Sequence, residues 1–322
     1  MSEAKTILVT GGSGYIGGQV CRLLVDAGHN VINVDRRKSD IPGVTLYPFD
    51  LDNHQLKGVI QLTKPDTIMH FAADHEVGRS MSEPGVFYWN NVANTIALLN
   101  NAVEAGVKNF IFSSSSSVYG DIDNFPTTEN TPKSPVSSYG LSKSIIEDIL
   151  PDYKRAYGLN YAALRYFNAA GASPDNTHGY KQEKASHIVP IISRKILAGE
   201  VVEVFGNDYD TADGTCERDY THMFDIATAH LAADYYLSDG GESDIFNIGA
   251  GNSMSVLQVI NAFERVLGTT VHYEFVPRRD GDAPKTFADN TKAREAFGWE
   301  PLYGLDEIVE HGHAWEEKNF KK

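Results

Sequence analysis

The sequence predicts an α/β protein, a doubly wound parallel sheet of the Rossmann type followed by a smaller C-terminal α/β lobe. Three observations carry this. Short apolar runs alternate with longer helical patterns from the first residues, a glycine-rich turn joins the first run to the first helical pattern, and past about residue 170 the texture changes to loops rich in Gly, Pro, Asp and Asn. Strands separated by helices need crossover connections, and crossovers make neighbouring strands parallel.

Taken in order, the run at 6–10, the helical pattern at 15–27 and the run at 31–35 form a βαβ unit. Further strands are expected at 45–49, 67–72, 109–113 and 161–167, with helices at 53–63, 84–105 and 138–157. Pro151 lies inside the last helix, where it removes a backbone hydrogen bond, so a kink or break is expected there. The stretch to about residue 184 and another at 206–215 read as ligand-facing loops of the second lobe. The expected division is a dinucleotide-binding domain over 1–170 and a lobe over 171–322, with some later segments returning to the first domain.

Composition narrows the function. The chain has 43 acidic and 28 basic residues, a formal net charge of -15 that repels phosphate backbones and anionic membranes, so neither nucleic acid nor membrane is an expected partner. Cys21 and Cys216 are its only cysteines, which argues against a disulfide framework and for a reducing, cytoplasmic setting. The start carries no apolar signal region, and no run approaches the length of a membrane span.

The segment Thr10-Gly11-Gly12-Ser13-Gly14-Tyr15-Ile16-Gly17 follows a strand and opens a helix, the setting in which glycines let the backbone approach a pyrophosphate at a helix N-terminus. Asp35 ends the second strand, where its carboxylate can accept both hydroxyls of an adenosine ribose. That favours NAD, since the same carboxylate repels a 2′-phosphate. Arg36, Arg37 and Lys38 follow, either as a solvated basic turn or as a grip on that phosphate. Tyr139 and Lys143 lie four apart at a helix start, hence on one face; a nearby ammonium and a positive nicotinamide would together lower the phenol from about 10 to about 7, which needs roughly 4 kcal/mol. Tyr139 then serves as a general base. Five serines, Ser113 to Ser117, end a central strand where open α/β sheets bind ligands.

On TGGSGYIG, HFAA, SSSSSVYG, YGLSK and RYFNAAG the chain resembles the extended short-chain dehydrogenase/reductase family, and it looks most like the branch that epimerises UDP-hexoses at C4. The stretches 205–209, 213–215 and 218–222 look like that branch's signature, and the likeness runs on through 247–251 and 278–282. The resemblance implies Ser115 as the hydrogen-bonding partner of the reacting oxygen, Tyr139 as base, and Lys143 as its tuner and the nicotinamide-ribose anchor. It implies a cofactor site of Gly11, Gly14, Tyr15, Ile16, Gly17, Asp35, Asp50, Leu51, Phe71, Ala72, Ala73, Asn91, Ser113, Tyr139, Lys143 and Tyr166. For a UDP-sugar it implies Ser115, Tyr139, Asn168, His187, Ile188, Glu203, Val204, Phe205, Arg218, Arg279, Asp282 and Thr286, with the two arginines as diphosphate clamps. Thr286 is expected to face the sugar's 2-substituent, its small size permitting an acetamido group. A homodimer through the helices at 84–105 and 138–157 is also implied.

Departures are His75, where many relatives carry lysine, the reading NNVANT at 90–95, and the short loop after Asp35. A dehydratase would need an acid and a base where this chain has Ser116 and Ser117; a non-catalytic cofactor sensor would not need the trio; another UDP-sugar as substrate stays open. No metal is expected, and His311 and His313 are assigned to the surface of the C-terminal helix.

Overall fold

The computed structural model describes residues 4–279 and 283–319. Its first lobe contains β1 (Thr6–Thr10), α1 (Tyr15–Asp26), β2 (Asn30–Val34), β3 (Val44–Tyr47), α2 (Gln55–Thr63), β4 (Thr67–His70), α3 (Val77–Ser82) and α4 (Pro84–Phe87). A π-helical segment, Tyr88–Ala93, leads into α5 (Asn94–Ala105), then β5 (Asn109–Ser115), α6 (Ser138–Tyr157) and β6 (Asn160–Tyr166). Beyond these come β7 (Asn168–Ala170), α7 (Ile188–Ala198), β8 (Val202–Phe205), β9 (Glu217–Arg218), β10 (Tyr220–His222), α8 (Met223–Ser238) and β11 (Asp244–Ile248). The chain finishes with β12 (Met254–Ser255), α9 (Val256–Leu267), β13 (Tyr273–Val276), β14 (Lys285–Thr286), α10 (Thr291–Phe297) and α11 (Leu305–Asn319).

The main sheet has seven parallel strands in the order β11-β6-β5-β4-β1-β2-β3. Alternation along β1 explains the two layers that cover it. Ile7 and Val9 pack with Val20 and Leu24 of α1 and Ala229 and Ala233 of α8, while Leu8 faces the other way onto Ile60 of α2, Leu98 of α5 and Ile146 of α6. The chain winds outward from β1 to β3 and then from β4 to β6, so the direction of winding changes between β1 and β4, and a crevice opens at their carboxyl ends. A separate apolar cluster, with Val189 and Ile192 of α7, Val204 of β8, Phe263 of α9 and Val309 of α11, makes the core of the second lobe. No helix among the described residues is long and apolar enough to cross a membrane.

Several sequence expectations need correction. The helix over 138–157 is unbroken at Pro151, because that residue sits on the exposed face, where water can solvate the carbonyl that its ring leaves unpaired. The helix expected over 84–105 is α4 and α5 joined by the wider π turns, which carry Asn91 into the protein. His313 is buried, edge-on to Phe263, and His311 is half-buried and bonded to His222 at 3.1 Å, so neither belongs to the open surface of α11.

Pro151 gives a test of this packing. Pro151→Ala restores an internal N–H in α6 and should raise stability by about 1–2 kcal/mol, the helix-propensity gain less the added freedom of the unfolded chain. Thermal and urea unfolding would read it; an unchanged or lower midpoint would mean that α6 is not limited by this residue.

Candidate active site

A cavity of about 1370 Å³ runs from the glycine turn, over the carboxyl ends of β4 and β5, into the second lobe. Gly11 is at φ +74, and a Cβ there would lie 2.7 Å from the Ala72 nitrogen, so only glycine lets the turn pack against the end of β4. The N-cap of α1 is Gly14, which offers no side-chain cap; the first N–H groups of that helix therefore stand at the cavity wall free to meet an anion. Asp35 is buried at the end of β2, its Oδ2 accepting from the Ser13 N–H at 3.0 Å and its Oδ1 from the Arg37 N–H at 2.8 Å. Each oxygen keeps acceptor capacity toward the cavity it lines. An uncapped helix start beside a fixed carboxylate suits a diphosphate flanked by a ribose.

The reacting groups lie at the middle of the cavity. Ser137 caps α6 by accepting from the Gly140 N–H at 3.1 Å, and a Cβ on Gly140 would stand only 2.4 Å from the Ser117 carbonyl. This close approach draws the first turn of α6 onto the serine run and brings Tyr139 and Ser115 to the same cavity wall, where the Ser115 hydroxyl donates to Ser117 Oγ at 3.1 Å. Lys143, one turn later, is buried and donates to the Ser113 carbonyl at 2.8 Å, with its ammonium 5.9 Å from the centre of the Tyr139 ring. One turn further, Glu147 accepts from Arg165 Nε at 2.8 Å and from its Nη2 at 2.6 Å, both side chains being buried. Ser114 donates to the same carboxylate at 2.6 Å, so α6 is fastened to β5 and β6 directly behind the trio.

The electrostatics differ from expectation. Burial pushes the Tyr139 phenol above its ordinary value, opposed by the neighbouring Ser115 hydroxyl, so Lys143 alone does not bring it into base range. Burial also lowers Lys143 to about 7, with the Glu147 charge acting to raise it. An added positive charge beside the phenol is what the arrangement needs before Tyr139 can act as a base at neutral pH.

Most residues singled out by sequence do line this cavity: Gly11, Gly14, Tyr15, Ile16, Gly17, Asp35, Asp50, Leu51, Phe71, Ala72 and Ala73 from the first strands and their loops, Ser113, Ser115, Tyr139, Lys143 and Tyr166 around the reacting groups, and Asn168, His187, Ile188, Glu203, Phe205, Arg218 and Arg279 from the later segments. Arg279 stacks its guanidinium 3.7 Å from the centre of the Phe205 ring, while Arg278 turns away to Tyr209 and Asp208. His187 bonds the Ala169 carbonyl through Nδ1 at 3.1 Å, leaving Nε2 for a ligand. Three residues are not in the lining. Asn91 is buried and holds Asp74 through its N–H and carbonyl, both at 2.9 Å; Val204 alternates inward to the core between two lining residues; Thr286 is half-buried on β14 beside Arg218. Asp282 lies outside the described residues. Sequence reasoning missed Glu147 and Arg165, although Tyr139, Lys143 and Glu147 share one helix face at successive spacings of four. It also missed Tyr180 and Lys181, whose loop carries no periodic signal.

A dinucleotide crevice feeding a Ser, Tyr and Lys centre that faces a second ligand lobe defines an oxidoreductive enzyme acting on a ligand held at both ends. The chain belongs to the NAD dependent epimerase/dehydratase family, whose model matches residues 7–249. It is 41% identical over 320 residues to the UDP-glucose 4-epimerase of Halalkalibacterium halodurans, covering 97% of this chain and 96% of that one. Among solved structures, a UDP-glucose 4-epimerase from Stenotrophomonas maltophila with bound NAD and formylated UDP-arabinopyranose is 35% identical with a TM-score of 0.93, covering 98% of each chain. The UDP-Glc/GlcNAc 4-epimerase of Campylobacter jejuni is 36% identical with a TM-score of 0.85, covering 98% of this chain and 100% of that one.

Removing the guanidinium behind the trio should be costly. Arg165→Met takes from the buried Glu147 its bidentate partner, leaving only Ser114 and the longer contact to Lys133 at 3.7 Å, and should destabilise the protein by about 3 kcal/mol, whereas Glu147→Leu with Arg165→Met should recover much of that loss. Urea unfolding of the single and double variants measures it; equal losses in both would mean that packing, not the unpaired charge, sets the cost.

Proposed function

We infer that this chain catalyses the NAD-dependent 4-epimerisation of a UDP-hexose, interconverting UDP-galactose and UDP-glucose through a 4-keto sugar. The observation that carries the reading is the meeting of Ser115, Tyr139 and Lys143 at the waist of one cavity, between a turn suited to a dinucleotide and a lobe that presents Arg218 and Arg279. The C4–H of a hexose is not acidic, so inversion by proton transfer alone is closed, and oxidation followed by reduction on the other face solves the problem. When bound, NAD supplies the reversible acceptor for that hydrogen and, in its oxidised form, the positive charge that brings the phenol down. Gly11, Gly14 and the start of α1 would hold its diphosphate and Asp35 its adenosine ribose.

Within the chain, Tyr139 takes the proton of the 4-hydroxyl and later returns it, while Ser115 holds the same sugar oxygen by a hydrogen bond. Lys143, its ammonium fixed on the Ser113 carbonyl and partly sustained by Glu147, anchors the ribose side of the site. Arg218 and Arg279 keep the UDP diphosphate in place while the ketone turns, which is why the nucleotide end and the reacting end need separate anchors. A redox-neutral cycle lets the cofactor stay bound from one turnover to the next.

A second substrate, UDP-N-acetylglucosamine, is favoured by the small Thr286 and by the likeness to an enzyme named for both sugars. The side chain of Thr286 lies outside the cavity lining, so acceptance of an acetamido group would rest on how far the room beside β14 extends. We also propose a homodimer: Met81, Trp89, Leu141 and Tyr157 are exposed apolar side chains on the helical layer that includes α6. Cys21 and Cys216 are both buried, and two cysteines so far apart in the chain fit work in a reducing cytoplasm.

The test is a panel of UDP-sugars with products resolved by chromatography. UDP-galactose and UDP-glucose should interconvert, and Tyr139→Phe should cut kcat by roughly 10²-fold or more with little change in KM. Activity near wild type in that variant would remove Tyr139 from its role. Selective loss of acetamido-sugar conversion in Thr286→Tyr supports the second substrate, and equal loss of both activities counts against it. Sedimentation showing only monomer at micromolar concentration would end the dimer proposal.

A further inference from the structure

The segment over 178–187 crosses the open side of the dinucleotide half of the cavity, and both ends of the crossing are fixed. At its start, His178 bonds the Tyr15 carbonyl through Nε2 at 2.8 Å, and its ring fills the space a Cβ on Gly18 would need. The indole N–H of Trp315 on α11 donates to the Tyr180 carbonyl at 2.7 Å. At its middle, Arg194 of α7 donates to the Gln182 carbonyl at 3.0 Å and to the Glu183 carbonyl, while itself paired with the buried Glu316. The Gln182 side chain then reaches over to His75 Nε2 at 3.2 Å, on the loop that follows β4. The segment therefore lies as a strap from the second lobe to the far rim of the crevice, and Lys181 sits on it between two anchored points.

Lys181 is exposed on the cavity wall. Across from it, Arg37 lies over the glycine turn, with Nη2 only 3.1 Å from where a Cβ on Gly14 would be, at the uncapped start of α1. Partial burial presses the Lys181 ammonium toward its neutral form, and Arg22, one face further along α1, and Arg37 add to it, although Arg37 itself lies 3.5 Å from the Asp35 carboxylate. In a chain with far more acidic than basic residues, Lys181 and Arg37 lining the cavity by the uncapped start of α1 outnumber the single Asp35 carboxylate there, and Asp35 already accepts from Ser13 and Arg37, so the two cations form an anion site.

We propose that Lys181 is a cofactor-retaining residue, which together with Arg37 clamps the diphosphate of the dinucleotide against the start of α1 and thereby couples the strap to the bound cofactor. The inference rests on NAD as the cofactor. It assigns to a residue of the second-lobe loops a ligand that the glycine turn alone would otherwise hold, and it means that the strap and the nucleotide hold each other in place. Release of NAD then requires that Lys181 let go of the diphosphate, not only that the glycine turn does.

The experiment compares wild type with Lys181→Ala, Lys181→Glu and Lys181→Arg. Retained nucleotide is measured after gel filtration by denaturing the protein and quantifying NAD in the supernatant, and the Kd for added NAD is measured at several salt concentrations. Expected is a rise in Kd of ten-fold or more in Lys181→Glu, a smaller rise with a shallower salt dependence in Lys181→Ala, recovery in Lys181→Arg, and unaltered melting of the nucleotide-free protein in all three. If wild type holds NAD and Lys181→Glu holds it equally, with the same Kd and the same salt dependence, the assignment of Lys181 is overturned while the cofactor reading stands. If wild type neither carries nor binds NAD, the cofactor reading falls and the assignment with it.

Discussion

The bidentate pair between Glu147 and Arg165 is the constraint on which the geometry of the site depends. Burying two charges is costly, and the cost is offset only when the lone pairs and N–H groups are matched. Here Arg165 gives both Nε and Nη2 to the carboxylate, Ser114 adds a third bond, and the guanidinium lies 4.6 Å from the centre of the Tyr119 ring. Tyr119 in turn donates to Asn247 on β11 at 2.6 Å. One helix, α6, is thus held against three neighbouring strands of the sheet by a network that admits one arrangement. Tyr139 and Lys143 stand two turns and one turn before Glu147 on the same face, so the charge pair sets where the phenol and ammonium point, and positions for chemistry tolerate errors of only about 0.5 Å.

The two lobes are joined by aromatic packing as well as by chain. Tyr15, from the glycine turn, meets Tyr180 at 5.9 Å and His187 at 5.8 Å, ring centre to ring centre, and those two rings lie 5.0 Å apart. The Tyr15 hydroxyl donates to the Gly171 carbonyl. A residue that begins α1 therefore also shapes the wall of the second lobe. The distance between a nucleotide on one side and a sugar on the other is governed by this triangle of rings, together with the glycine approaches at Gly11 and Gly140. This junction is packed ring against ring, which suits a reaction in which the ligand turns between fixed walls.

What was legible in the sequence follows from which signals are local. The β1, glycine turn and α1 unit could be read because period-two burial, a turn and period-3.6 burial succeed one another without interruption, and the Tyr139 and Lys143 pair because four-residue spacing forces one face. The second lobe was hardly legible as structure, since β9, β12 and β14 are two-residue strands set by pairing with distant segments and carry no periodicity. Side-chain direction was the other blind spot. Val204 sits between Glu203 and Phe205, so the pleat turns it away from the cavity that its neighbours line. Asn91 was read as facing the cofactor, yet the π turns rotate it toward Asp74 and Ser142. The burial of His313 came from the packing of α11 on α9, a contact between elements that no single segment announces.

The placement of β11 has a consequence for the chain as it is made. This strand pairs with β6, yet it follows it by roughly eighty residues, most of which build the second lobe and α8. At a synthesis rate of about 5–20 residues per second, the outer edge of β6 waits on the order of 4–16 s for its neighbour to leave the ribosome. During that interval a buried, apolar strand with a row of unpaired amides is open to any other extended chain nearby. The apolar face that α8 will cover on α1 is bare for much of the same time. The nascent protein is thus most exposed to misassociation in the middle of its synthesis, after its nucleotide fold is nearly complete and before the returning strand closes the sheet.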